Sequence, residues 1–74
     1  MVTVDAATVQ KRFGARLRAL RLAQELSQEK LAFEADLDRT YVNSVEMGKR
    51  NVSLVNIVKL AKALHVPVSE LFVS

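Results

Sequence analysis

Residues 27–51 read SQEKLAFEADLDRTYVNSVEMGKRN, and this stretch decides the fold. Leu31, Ala32 and Ala35 recur at helical spacing after Ser27, and Val42 and Val45 do so after Asp38. Serine and aspartate are good N-caps because their side-chain oxygens accept from backbone N–H groups that a first helical turn leaves without partners. Two short helices joined by a few residues around Asp36 and Leu37 make a helix-turn-helix. The stretch closes on Gly48, of the kind that ends helices, followed by Lys49, Arg50 and Asn51.

The same grammar repeats on both sides. Asp5 caps a first helix that carries Val9, Phe13, Leu17 and Leu20 inward and fades near Gln24. Ser53 caps a fourth with Leu54, Ile57, Val58, Ala61 and Leu64; Pro67 stops it, and VSELF at 68–72 predicts a short fifth helix. Each cap is framed by two apolar residues, one before it and one at the fourth helical position: Val4 and Val9, Leu26 and Leu31, Leu37 and Val42, Val52 and Ile57. Such pairs staple the incoming chain to its helix. No segment alternates like a strand, so the expected fold is all-α, a compact five-helix domain over residues 1–74.

The chain has 74 residues, no cysteine, half its residues hydrophobic, and a net charge of +3. Disulfides and thiolate metal sites are therefore excluded, so a helical core has to hold a domain too small to be more than marginally stable alone. No apolar run reaches the roughly 20 residues of a membrane span, and the first residues lack the layout of a signal peptide. A cytoplasmic protein is expected. The charge is uneven: residues 1–24 hold five cations (Lys11, Arg12, Arg16, Arg18, Arg21) and one acid, whereas residues 25–36 hold four acids and one cation. A disordered basic tail would not be patterned in this way.

In a helix-turn-helix that docks on DNA, the second helix enters the major groove with its N-terminal side chains at base edges, and the first crosses the phosphate backbone. Here the entering turn carries Arg39, Thr40 and Tyr41. Arginine can grip guanine O6 and N7, threonine offers a hydroxyl and a methyl, and asparagine pairs with adenine. Arg39, Thr40, Asn43 and Ser44 thus form a base-reading set, of which 40, 43 and 44 share the face opposite Val42 and Val45. Gln28, at the N-terminus of the preceding helix, is either a phosphate donor or a solvated first-turn glutamine. Tyr41 suits a backbone contact through its hydroxyl, or partial packing. Lys49, Arg50 and Asn51 suit phosphate contacts, although a basic C-cap accounts for the first two equally well.

Other chemistries find little support. His65 has no cysteine or second histidine with which to share a metal, and Met47 reads as a packing residue. Glu29, Glu34 and Asp36 lack the scaffold of a metal-dependent nuclease and read as a solvated face. The basic first helix lacks the aromatic anchors of a membrane-surface helix. Neither catalysis, nor a cofactor, a metal, a small-molecule ligand or a membrane partner is expected.

The residues RFGARLRALR, LSQEKLAFEADLDRTYV, the run Glu46-x-Gly48-x-Arg50-Asn51, and LAKALHVPVSELF resemble the phage-repressor-like, Cro-type (XRE) helix-turn-helix regulators over about residues 12–72. DRTYV followed by GKRNVSL is particularly similar to the controller proteins of bacterial restriction-modification systems. That resemblance implies a lambda-repressor-like fold. It also implies a homodimer that binds a palindromic operator upstream of its own gene and regulates that gene and the endonuclease gene, activating at low level and repressing at high level. It implies phosphate contact by Gln28, a backbone position for Tyr41, base reading by Arg39, Thr40, Asn43 and Ser44, and contacts by Arg50 and Asn51. It further implies a structural ion pair between Arg21 and Glu46. Two positions depart from the family pattern: Asp36 stands at the usual turn glycine, and Met47 stands where arginine is common.

For the dimer seam, the apolar chain end offers Val66, Val68, Leu71, Phe72 and Val73. An activator also needs a surface for RNA polymerase, for which Glu25, Glu29 and Glu34 are candidates. The alternatives are a generic phage-type repressor, an antitoxin-like autoregulator, and a protein-interaction module that has lost DNA binding.

Overall fold

The computed structural model describes residues 3–73. Four α-helices follow in order, α1 (Ala6–Ala23), α2 (Gln28–Ala35), α3 (Arg39–Glu46) and α4 (Leu54–Ala63), and a 3-10 helix spans Val68–Phe72. No strand occurs among the described residues. The expected fifth α-helix is thus a 3-10 helix. The helix after Pro67 is only five residues long, and Glu70 N–H closes a tight turn on the Pro67 carbonyl at 3.0 Å.

All four predicted caps form. The side chains of Asp5, Ser27, Asp38 and Ser53 accept from the backbone N–H groups of Ala7, Lys30, Thr40 and Asn56 respectively. The helix ends share a second rule, which the sequence signals at Gly48 and, through the resemblance, at Asp36 in the place of the turn glycine. Each is followed by a residue with positive φ: Glu25, Asp36, Gly48 and His65. The next N–H then reaches back five residues, from Leu26 to Arg21, Leu37 to Ala32, Lys49 to Ser44 and Val66 to Ala61, at 2.9–3.1 Å. This satisfies carbonyls that a helix end leaves open and turns Leu26, Leu37 and Val66 onto the core. His65 is therefore the residue that terminates α4.

The core gathers Phe13 and Leu17 of α1, Leu31, Ala32 and Ala35 of α2, Val42 and Val45 of α3, Leu60 and Ala61 of α4, Leu64 after it, and Leu71. α3 packs on α1 and α2, α4 on α2, and the 3-10 helix bridges α1 and α4. Where α1 crosses the last turn of α3, Gly14 lies so close that a Cβ would come within 2.2 Å of the Val45 carbonyl oxygen. Backbone contact at that point requires glycine.

Four apolar residues lie elsewhere than expected. Val9, Leu54 and Val58 are exposed, because they stand at the edge of their helical stripes or beyond the reach of a neighbouring element. Leu71, expected in a dimer seam, is fully buried in its own protomer, where the 3-10 turn directs it between α1 and α4. Val66 and Val68 are also half-buried against that core, which leaves Phe72 and Val73 exposed at the chain end.

Candidate nucleic-acid interface

The Asp38 cap, whose carboxylate accepts from Thr40 N–H at 2.7 Å, starts α3 so that one side faces inward and the other outward. Val42, Val45 and Glu46 are buried; Arg39, Thr40 and Asn43 are exposed, and Ser44 is half-buried. Among the described residues the Arg39 and Thr40 side chains make no hydrogen bond or ion pair, so their donors are unengaged by the protein. Three of the four expected base readers therefore share an open face, with Ser44 at its margin.

Behind this face lies a buried network. Arg21 of α1 donates from Nε to Glu46 Oε2 at 2.7 Å and from a terminal nitrogen to Oε1 at 3.0 Å, and its other terminal nitrogen donates to the Leu26 carbonyl at 2.6 Å. The hydrogen bond to Glu46 raises the Arg21 pKa; burial acts the other way, and the charge of Glu46 adds to the rise. Stability gained from a raised pKa is complete below the unfolded-state value and lost only as pH climbs through the folded one, so for an arginine it persists throughout the working range. The network extends outward, because Gln28 Nε2 donates to Glu46 Oε1 and to Asn43 Oδ1, both at 3.1 Å. No buried side-chain nitrogen or oxygen among the described residues lacks a partner.

In this geometry the Gln28 amide, expected to donate to a phosphate, donates within the protein. An amide nitrogen has two N–H groups, and both here point to protein acceptors. What the start of α2 offers a phosphate is its first-turn backbone N–H groups and their positive partial charge.

Beyond α3, the chain bends at Gly48 with φ +76° into exposed Lys49, Arg50 and Asn51. The Arg50 guanidinium lies over the Tyr41 ring, 5.4 Å from its centroid. A cation held over an aromatic face is attracted by the ring's quadrupole and loses conformational freedom. Tyr41 is half-buried, and its phenolic oxygen accepts from Asn56 Nδ2 at 3.1 Å, which leaves its O–H free to donate.

Three contributors escape a reading of the sequence. Asn56 positions Tyr41 from α4. The stem of Lys11 lies against Gly48, its Cγ 2.7 Å from where a Cβ would stand, so α1 brings a cation beside the loop. Met47 is about half exposed, and its sulfur accepts from Asn43 Nδ2 at 3.5 Å, so it flanks the reading face instead of packing inside. The first two depend on residues far apart in the chain, and no local pattern announces them.

The helix-turn-helix family matches residues 17–71. The restriction-modification controller protein C.AhdI from Aeromonas hydrophila superposes with a TM-score of 0.87 at 60% identity, over 88% of this chain and 98% of that one. The chain belongs to the helix-turn-helix family of controller proteins. Control protein C.MunI from a Mycoplasma species is 55% identical to this controller over 62 residues, 82% of this chain and 84% of that protein. The controller protein C.Esp1396I, seen as a tetramer with its natural 35 base-pair operator, aligns with a TM-score of 0.79 and 28% identity, covering 85% of this chain and 83% of that one. Among the described residues, no helix of this controller is long and apolar enough to cross a membrane.

Proposed function

We propose that this protein is a sequence-specific regulator that binds a palindromic operator in double-stranded DNA as a homodimer and controls its own gene and a restriction endonuclease gene. The observation that carries the reading is the open array of Arg39, Thr40 and Asn43 on the first two turns of α3, flanked by Lys49 and Arg50, in a member of the controller family. Arg39, Thr40, Asn43 and Ser44 read bases; Tyr41, Lys49, Arg50 and Asn51, joined by Lys11, hold the phosphate backbone. The protein acts by binding and not by catalysis, in the cytoplasm. Where it activates, Glu25 and Glu29 are free to meet RNA polymerase, whereas Glu34 pairs with Lys30 at 3.1 Å.

For the dimer seam we favour α4 over the chain end. Leu54, Val55 and Val58 are 75%, 64% and 48% exposed on a rigid helix, in a five-residue run without a charge. Of the apolar residues expected at the chain end only Phe72 and Val73 stay exposed, and Phe72 already lies against Phe13 of the same chain, with ring centroids 5.6 Å apart. A symmetric dimer places its two reading helices about 10–10.5 base pairs apart, or a multiple of that. Val55→Asp should yield a monomer by sedimentation and weaken operator binding by about 10²-fold or more, since linked half-sites no longer reinforce each other. Phe72→Ser should stay dimeric, and the reverse pattern would move the seam to the chain end.

The function itself is tested by salt-titrated binding to the DNA immediately upstream of the protein's own gene, against scrambled DNA of equal length. A preference of roughly 10³ or more, falling steeply with salt, is expected. Equal binding to both DNAs, or to neither, would overturn the reading.

A further inference from the structure

The network behind α3 fixes which way an exposed amide points. Glu46 is a carboxylate and only accepts, so the end of the Gln28 amide that faces it at 3.1 Å has to be nitrogen. The same nitrogen lies 3.1 Å from the Asn43 amide, which must therefore present its oxygen there. Nδ2 of Asn43 is left on the outer side of α3. Its near neighbour is the Met47 thioether at 3.5 Å, a weak acceptor that leaves the amide free to donate elsewhere. Turning Asn43 over would set nitrogen against nitrogen, and turning Gln28 to match would set its oxygen against the Glu46 carboxylate. Arg21 holds that carboxylate with two bonds and cannot be deprotonated to release it.

We infer that the Arg21–Glu46–Gln28 chain makes Asn43 a one-way reader, which donates to a base edge carrying an acceptor. Guanine N7 and O6, adenine N7 and thymine O4 qualify; cytosine N4, a donor, does not. The two-bond pairing of asparagine with adenine is also closed, because it needs the Asn43 oxygen to face adenine N6 while that oxygen faces Gln28. Gln28 is thus a positioning residue for specificity, and the buried pair acts on sequence choice without touching DNA. The inference rests on α3 entering the major groove, as proposed above.

Asn43→Asp tests it with almost no change of shape, keeping an oxygen toward Gln28 and replacing the outward donor by an acceptor. Gln28→Leu removes the tether instead. Both, with wild type and Arg39→Ala, would be competed on the DNA upstream of the gene with every base pair replaced in turn by the other three. The expected result is one base pair in each half-site at which wild type disfavours cytosine and Asn43→Asp reverses the preference toward cytosine, a relative change on the order of tenfold. Gln28→Leu should flatten the preference at that pair alone. An even loss of affinity in Asn43→Asp, with no change of base preference, would overturn the inference. If Arg39→Ala loses specificity while Asn43→Asp shifts none, α3 is still the reading helix and only the one-way reader falls. If wild type shows no base preference at all, the groove reading fails and the inference with it.

Discussion

Arg39 and Asn43 stand one helical turn apart on the same open face of α3, and the protein treats them in opposite ways. Arg39 reaches outward from the capped first turn, with no bond to the protein among the described residues. Asn43 is the visible end of a chain of bonds running through Gln28 and Glu46 to Arg21 on α1. A free guanidinium adapts to what it meets and keeps all its donors for a base, at the entropic cost of being ordered on binding. A tethered amide is ordered in advance and offers one donor in one direction. On the proposed reading, the first turn of α3 thus presents a base reader that adapts on binding, and the second turn one that is fixed in advance.

The largest effect should come from the root of the tether. Glu46→Ala strips Arg21 and Gln28 of their shared acceptor and leaves a buried guanidinium without its carboxylate, at a cost on the order of 3–5 kcal/mol. The urea midpoint should fall with the slope unchanged, and a midpoint equal to wild type would show that the second turn is no more tied to the core than the first. Arg39→Ala sharpens the contrast from the other end. It should remove about 1–3 kcal/mol of operator binding and leave the urea midpoint where it was, because Arg39 supports nothing in the fold. Loss of stability in that variant would erase the difference between the two turns.

A smaller effect of opposite sign is expected at Asp36, which sits at φ 56° in the turn before α3. Only glycine adopts that conformation without strain, so Asp36→Gly should stabilise the fold by about 1 kcal/mol in thermal melts. Base preference in that variant should match wild type. An altered preference would mean that the turn, and not the tether, aims the second turn of α3.

Much of this protein is legible in its sequence. Ser27 and Asp38 announce α2 and α3, and the apolar pairs around three of the four caps do pack on or within the core, as Leu26 does with Leu31. The fourth pair, Val4 and Val9, fits the same pattern yet is exposed, because no other element among the described residues covers the start of α1. Leu54 and Val58 mislead in the same way, since helical periodicity counts apolar residues without knowing what stands opposite them. The helix ends were half legible. Glycine signals a left-handed residue at position 48, but Glu25, Asp36 and His65 adopt the same conformation without that signal.

The sequence by itself determined where helices start, which face of α3 points outward, and which polar residue types that face carries. Those features depend on contacts within about one helical turn, and such contacts are written in neighbouring residues. Only the tertiary structure decided that Gln28 turns both donors inward, that Asn43 shows its nitrogen and hides its oxygen, that Lys11 joins the loop at Gly48, and that Leu71 is core. Each of these depends on a meeting between elements that the chain holds far apart. Packing sets the distance of that meeting, and hydrogen-bond chemistry then admits one orientation.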